Sequence, residues 1–421
     1  MSEALPDGWQ SRSLNSLGEY SNGYAFSKRH WAEHGLPIVR IAQITGTQEV
    51  EDRYPGLLPS AFRITDGDLI FSWSGTLSVV KWQGGPAWLN QHLFKVTPSE
   101  DVDRRLLFHV LRASVAEMEK RTHGSTMKHI KRSELEEFSA ALPLCGQEQA
   151  KIAEILDTLD TAIHETEALI AKLKAVKQGL LHDLLTRGID ANGELRPPQS
   201  EAPHLYKPSS LGLIPNVWDG VELNDLIDPK RPVVYGILMP GYGWPGGVPV
   251  VKVKDIMDGQ IQCEGLLLTS PQIDREYSRS RLSVGDLLFT IRGTVGRTAF
   301  VPSELQDANI TQDSARISIK DVDARFVRAY LQSPVASRFV SVHTLGVAVQ
   351  GINLRDVRRI PMARPPREES KEIADRLEVI DMRVQAEVDD MQKLKLKKSG
   401  LMDDLLTGRV RVTPLLDAAA A

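Results

Sequence analysis

The stretch from Gln147 to Arg187, QEQAKIAEILDTLDTAIHETEALIAKLKAVKQGLLHDLLTR, decides how the rest of the chain is read. Its apolar residues fall at Ile152, Leu156, Leu159, Ile163, Ile170, Leu173, Leu180 and Leu184, in steps of four and three, with polar interruptions at Thr166 and Lys177. That is a heptad seam, the signature of a helix that buries one narrow stripe against another helix. The same chain supplies the partner. Ile373, Leu377, Ile380, Val384, Met391, Leu394, Leu401 and Leu405 repeat the seam at a constant offset of 221 residues, and Glu387 and Lys398 repeat the interruptions. Both copies close on Leu-Leu-Thr, at 184–186 and 405–407. A helix of about 37 residues is about 55 Å long, and its stripe needs cover, since each buried Leu or Ile contributes about 1.5 to 3 kcal/mol. The two long helices are therefore expected to pair as an antiparallel intramolecular coiled coil. A parallel pair would oppose Lys177 to Lys398. The antiparallel pair sets Lys177 near Ile380 and Thr166 near Met391, where a polar tip can reach past an apolar neighbour.

The length of 421 residues allows two or three domains, each with its own core. With 42% hydrophobic and 25% charged residues the composition is that of an ordinary globular protein. The apolar runs are too short for a membrane span and the N-terminus lacks a signal-peptide pattern, so a cytoplasmic location is expected. Two cysteines, Cys145 and Cys263, without CxxC spacing argue against a disulfide framework or a zinc site. A net charge of -4 excludes a diffuse polycationic coat but leaves room for local basic patches.

Residues 1–145 read as a mixed α/β domain, with short strands around 37–41, 68–73, 77–82 and 93–96 and a helix over 103–120. The long helix over 146–187 follows, and then a Pro-, Gly- and Asn-rich stretch, 188–208, expected to be a linker. Residues 209–366 replay the first domain. Pro6-Asp7-Gly8-Trp9 corresponds to Pro215-Asn216-Val217-Trp218, Gly67-Asp68-Leu69-Ile70-Phe71 to Gly285-Asp286-Leu287-Leu288-Phe289, and Gly124–Ile130 to Gly346–Ile352. The second long helix occupies 367–409, and 410–421, ending in alanines, is expected to be a disordered tail. The fold class is α+β: a tandem repeat with a pseudo-twofold relation, two mixed α/β domains joined by two paired helices. The turn-and-strand frame recurs while the residues between the anchors differ, so the copies present unlike surfaces.

These motifs carry a resemblance. Gly285-Asp286-Leu287-Leu288-Phe289-Thr290-Ile291-Arg292-Gly293-Thr294-Val295-Gly296, its weaker counterpart Gly67–Thr76, Gly124–Ile130, Leu142-Pro143-Leu144 followed by Glu148–Ala153, and the Leu-Leu-Thr endings are similar to those of type I restriction-modification specificity subunits. The likeness covers nearly the whole chain. It departs at Cys145-Gly146, where the family usually has a second proline, and at Trp73, where the second half has Ile291. The resemblance implies two target-recognition domains, each binding half of a bipartite double-stranded DNA site. It also implies long helices that fix the half-site separation and dock two modification (methyltransferase) subunits, with restriction (translocase and nuclease) subunits in the same complex. By the same resemblance S-adenosylmethionine, ATP and Mg2+ belong to the partner subunits and no cofactor belongs to this chain.

The residues themselves offer no catalytic constellation. Gly241–Gly246 spells GxGxxG, but it contains Pro245 and leads into an apolar run instead of a phosphate-binding helix. His30-Trp31-Ala32-Glu33-His34 spells HxxEH, but Gly35 and Pro37 would cut the helix that zinc ligation needs. Neither a GxxxxGK[ST] loop nor an Asn-Pro-Pro-aromatic tetrapeptide occurs. A non-catalytic DNA-recognition subunit is the expected function. A coiled-coil adaptor whose domains bind proteins is the alternative, and a steep fall of affinity with salt would separate the two.

For DNA contact the candidates are side chains beside the Gly-Asp strands. In the second domain these are Arg275, Arg279, Arg281, Arg292, Thr294 and Arg297, since arginine can grip guanine or phosphate with two hydrogen bonds. In the first they are Lys28, Arg29, Ser72, Ser74, Thr76, Lys81, Lys128 and His129, with Lys120, Arg121 and Lys131 nearby. Gln91 and Gln312, at matching positions, are candidates for reading adenine. The series Arg355, Arg358, Arg359, Arg364 and Arg367 suits either phosphate or a partner subunit.

Overall fold

The computed structural model describes residues 5–47, 52–121, 130, 132–346 and 350–420. The chain forms two compact units, Met1–Leu169 with Glu387–Ala421, and Ile170–Ala386. Each unit therefore combines one domain with a segment of each long helix.

In the first unit the Trp9–Ser13 strand pairs antiparallel with Ser139–Pro143, Trp9 opposite Pro143. A four-stranded antiparallel sheet runs in the order Gly18–Asn22, Leu93–Pro98, Leu69–Ser72, Ser78–Lys81. A second sheet has the order Arg53–Tyr54, Leu36–Val39, Ala87–Leu89, Arg63–Ile64, its central pair parallel. All of Leu69–Ser72 is buried. Leu69 and Phe71 enter one core and Ile70 another, so both faces are covered and the strand reads as an unbroken apolar run. The Arg104–Arg121 helix starts at Asp103, whose Oδ1 accepts the amides of Arg105 (2.8 Å) and Leu106 (3.1 Å).

The second unit repeats this plan. Asp219–Glu222 pairs with Pro361–Arg364. One sheet runs Val234–Tyr235, Ser314–Ile317, Leu287–Thr290, Thr298–Phe300, and the other Leu267–Thr269, Val248–Val251, Asn309–Ile310, the last two parallel. Leu287 and Phe289 again enter one core and Leu288 another. Trp218, fully buried, meets Phe326 edge to face at 6.1 Å.

The recurring Gly-Asp pair is a turn device. Gly67 and Gly285 take φ of +87° and +84°, which glycine adopts without steric cost. Asp68 Oδ2 then accepts the Thr65 amide (2.8 Å), and Asp286 Oδ2 the Ser283 amide (2.7 Å). Burial pushes the Asp68 carboxyl up, but the Thr65 amide, Lys95 and Arg104 outweigh it and hold the group below its ordinary range. A second recurring device escaped the sequence. A Cβ on Gly23 would lie 2.2 Å from the Leu89 carbonyl oxygen, and one on Gly236 would lie 1.9 Å from that of Ile310. The next residues bond to the same oxygens, the Tyr24 amide to Leu89 and the Ile237 amide to Ile310, both at 2.7 Å.

The long helices are Gly146–Thr186 and Arg367–Leu406. Along the seam Ile152, Leu156, Leu159, Ile163, Ile170, Leu184, Ile373, Leu377 and Leu405 are buried, and Leu173, Leu180, Ile380, Val384, Met391, Leu394 and Leu401 are half-buried. The helix segments run antiparallel within each unit: Lys398 meets Asp160 and Lys395 meets Glu167 in the first, Lys177 meets Asp381 in the second. The seam lysines thus do more than reach past apolar neighbours, because each finds a carboxylate on the opposite helix. Lys398–Asp160 and Lys177–Asp381 are one pair written twice, related by the same 221-residue offset as the seam. Thr166 donates its hydroxyl to the Ala162 carbonyl, 2.8 Å away.

The first-unit pair is embedded in a cluster. Arg112 also reaches Asp160 (3.3 Å), and fully buried His109 shares Asp157 with Lys81, at 2.9 and 2.7 Å. Burial pushes His109 down to about 4, against the opposing pull of Asp157, so the ring is neutral.

Two expectations need correction. Residues 188–208 are packed: Ile189 bridges Leu195, Ile189 and Ala202 are buried, and Tyr206 opens a hairpin of Tyr206–Ser209 with Gly212–Pro215. Their Pro and Gly residues mark turns, while the scattered apolar residues between them find a core. Residues 410–420 are structured too. Arg411 grips Glu148 through Nε and Nη2 at 2.6 and 2.8 Å, Val412 is buried, and Thr413–Ala420 is a helix. The alanines that suggested a floppy end are the best helix formers, and Pro414 suits a first helical turn.

Candidate nucleic-acid interface

The strand framework sorts the candidate side chains by exposure. In the first unit Lys28 and Arg29 are exposed on a short 3-10 turn, Lys28–His30, which closes where the Ser27 amide donates to His30 Nδ1 at 3.0 Å. Behind it Tyr24, Phe26, His30, Tyr54 and Phe62 make edge-to-face contacts at 5.0 to 5.9 Å. The HxxEH spelling is therefore no helix, and His30 is part of an aromatic cluster. Thr76 is exposed. Ser72 and Ser74 are buried, the Ser72 hydroxyl donating to the Ser74 carbonyl at 3.3 Å. Neither is presented to DNA: Ser72 ends the strand that is covered on both faces, and Ser74, two residues beyond it, is buried in its own right. Lys81 is committed to Asp157. Gln91 is half-buried, its Nε2 3.2 Å from His92 Nε2. Lys120 is exposed at the end of its helix. Lys128, His129 and Lys131 lie outside the described residues, as does the Arg121 side chain.

In the second unit Arg275, Arg279, Arg292 and Thr294 are exposed. Arg297 is exposed as well, with one end donating to the Ile256 carbonyl at 3.0 Å. Arg281 is bound to buried Asp274, its Nε 2.9 Å from Oδ2, and this carboxylate raises the guanidinium above its usual range. Its guanidinium is held by that pairing, at a side chain that is still partly exposed. Gln312 also turns inward, its amide nitrogen placed to donate to the carbonyls of Ile237 (2.8 Å) and Leu238 (3.2 Å). Of the arginine series, Arg358 donates to the Val233 carbonyl (2.7 Å), Arg364 pairs with Asp219 (2.9 Å) and Arg359 approaches Glu222 (3.8 Å). Arg355 and Arg367 are exposed.

One further surface carries no basic side chain. The segment after Ile237 exposes Leu238, Met239, Tyr242 and Trp244, with Tyr242 wholly in solvent. In the sequence this surface is two aromatics among glycines, a pattern that also spells GxGxxG.

Among the described residues no group of three or more His, Cys, Asp or Glu side chains could hold a metal ion, and no helix is long and apolar enough to cross a membrane. Each repeat of the scaffold thus carries exposed basic side chains on its loops and short helices, Lys28 and Arg29 in the first and Arg275, Arg279, Arg292 and Arg297 in the second, groups able to contact phosphate.

Comparison with known proteins gives this scaffold its relatives. The model of the type I restriction modification DNA specificity domain matches residues 6–175 and again residues 237–396. The chain is 29% identical over 384 residues to the type I restriction enzyme EcoBI specificity subunit of Escherichia coli, covering 89% of this chain and 80% of that one. It is 26% identical over 442 residues to the putative type I restriction enzyme MjaX specificity subunit of Methanocaldococcus jannaschii, covering 97% and 95%. Among solved structures it resembles the S subunit of a type I restriction-modification system from M. genitalium, with a TM-score of 0.58 at 13% identity over 96% of this chain and 97% of that one. With both halves matched by one domain model, the chain belongs to the family of type I restriction-modification DNA specificity subunits.

Proposed function

We propose that this chain selects the target of a type I restriction-modification complex by reading a bipartite, asymmetric DNA site, one half-site per domain, and performs no chemistry itself. The observation that carries the reading is the repetition of one scaffold with two unlike exposed surfaces: Lys28 and Arg29 on the first, Arg275, Arg279 and Arg292 on the second. Basic side chains on such loops supply phosphate contacts that steer and orient, and the loop residues between them meet base edges. Two different readers on one chain select a site whose halves differ.

The chemistry then belongs to partners: modification subunits that use S-adenosylmethionine to methylate a base flipped from the duplex, and restriction subunits driven by ATP. The long helices are the docking surface for them in this proposal. Their outer faces expose Leu169 and Leu396 in the first unit and Val176, Val379 and Met382 in the second, apolar side chains that an isolated coiled coil does not need.

The test is methylome sequencing of a methylation-free host that carries the neighbouring modification subunit, with and without this chain. A split, asymmetric methylation motif that appears only with the chain is the expected result. Active modification subunits leaving no chain-dependent mark would overturn the reading in favour of a protein-binding adaptor.

A further inference from the structure

Gly23 and Gly236 launch loops at the same place in the two scaffolds. Each glycine is pinned against a strand carbonyl, and each loop ends at a second pinned glycine: a Cβ on Gly35 would lie 2.4 Å from the Tyr54 carbonyl oxygen, and one on Gly247 would lie 2.2 Å from that of Thr269. Both loops then enter the strand that pairs in parallel, Leu36–Val39 or Val248–Val251. Between these anchors the chemistry diverges. The first loop carries exposed Lys28 and Arg29 beside exposed Trp31 and Glu33. The second, Leu238-Met239-Pro240-Gly241-Tyr242-Gly243-Trp244-Pro245-Gly246, contains no charged residue, yet exposes Leu238 at 55%, Met239 at 78% and Trp244 at 54%.

The surroundings of the second loop say what such a surface meets. One limb leaves Val234–Tyr235, which packs on the Ser278–Ser280 turn that carries Arg279. The other is tied by the Trp244 amide to the Leu268 carbonyl at 2.9 Å, in the strand that leads into the Pro271–Glu276 helix with Arg275. Arg275 and Arg279 are exposed and have no ion pair among the described residues. The acids of this segment are Asp274, neutralised by Arg281, and exposed Glu276. An uncharged aromatic loop whose limbs are tied to segments carrying free guanidinium groups is complementary to duplex DNA, whose bases and sugar edges are apolar and whose rims are phosphate.

Resting on the DNA-reading function proposed above, we infer that the Leu238–Gly246 loop is the base-contacting element of the second domain. Met239, Tyr242 and Trp244 meet bases or sugar edges by apolar contact and stacking, while Arg275 and Arg279 hold the flanking phosphates. The equivalent loop of the first domain adds the charges of Lys28 and Arg29 to its one exposed aromatic, Trp31. One position in the scaffold thereby contributes to both half-sites with different side chains.

The experiment uses the full complex of this chain with its modification subunit and a duplex carrying the motif found by methylome sequencing, beside a scrambled duplex. Binding is measured between 50 and 200 mM salt for the wild type, Y242A/W244A and R275A/R279A, and the methylome is repeated for each. The double aromatic variant should weaken motif binding by about 10- to 100-fold, leave the salt slope unchanged, and relax one half-site while the other stays intact. The double arginine variant should flatten the slope of log affinity against log salt by about 2, near 0.9 for each phosphate that is no longer neutralised. The proposal is overturned if Y242A/W244A keeps the wild-type motif and affinity, or if its effect appears in the salt slope. A wild-type chain with no chain-dependent motif would instead remove the DNA-reading function itself, a distinguishable failure. Unchanged thermal melting of both variants, which alter only exposed side chains, shows that folding is not the cause.

Discussion

Asp160→Ala and Asp381→Ala delete carboxylates at equivalent positions of the repeat, yet their costs should differ several-fold. Lys398 is 7% exposed and Asp160 28%, whereas Lys177 is 25% exposed and Asp381 53%. Removing Asp160 strands a buried ammonium beside Arg112, a second cation. Breaking a buried pair from one side costs about 3 to 5 kcal/mol, and because water reaches part of Asp160 the lower end applies, about 3 kcal/mol. Removing Asp381 breaks a pair that solvent already screens, a loss below about 1 kcal/mol. Lys398→Met should cost less than Asp160→Ala, since Asp160 keeps Arg112 and the methionine stem keeps the packing. Hydrogen exchange on the full-length chain measures this directly, because protection of the Gly146–Thr186 helix can be followed separately on either side of its middle. Asp160→Ala should accelerate exchange around residues 156–163 by about 100-fold, with one tenfold step for every 1.4 kcal/mol, and Asp381→Ala should leave residues 173–181 nearly unchanged. Equal effects, or a Lys398→Met variant worse than Asp160→Ala, would refute the assignment of Lys398–Asp160 as a buried pair.

His109 makes the stability of the first unit depend on pH. Its folded value of about 4 lies below the ordinary 6.5, so between these values the unfolded chain binds a proton that the native ring refuses, and stability falls as pH drops from 6.5 towards 4. The loss from pH 7 to pH 5 should be about 2 kcal/mol in urea titrations. His109→Gln should flatten that window, and an unchanged pH slope would exclude the residue as its source. Gly236→Ala should cost about 3 kcal/mol, the upper end for forcing a group into packed structure, because its Cβ would meet the Ile310 carbonyl at 1.9 Å. A variant that melts within a degree of the wild type would show that this crossing can relax.

Features carried by short-range periodicity were legible in the sequence. The heptad seam fixed the long helices to within a few residues, and the repeated Gly-Asp turns exposed the duplication. Features that depend on a partner strand or helix were not. Nothing in the Gly146–Thr186 sequence alone announces that Asp160 awaits Lys398; the register of the opposite helix decides it. Ser72 stands beside the Gly-Asp motif like an accessible donor, but it belongs to a strand that is covered on both faces. Arg281 and Lys81 looked like free cations until folding brought Asp274 and Asp157 beside them. The loop from Leu238 bears no charge, and exposure of its aromatics is set by the fold and not by any local sequence pattern.

The pinned glycines at the loop ends have a consequence for mutational tolerance. Gly23, Gly35, Gly236 and Gly247 are each held against backbone carbonyls, so the scaffold grips these loops at their feet by main-chain geometry, whatever the exposed residues at their tips. Substitutions at the tips then leave stability nearly unchanged while altering what the domain touches. A protein built in this way can drift from one target sequence to another through variants that all fold, with the cost of change concentrated in the four glycines and in inward-packed side chains such as Phe26, His30 and Ile237.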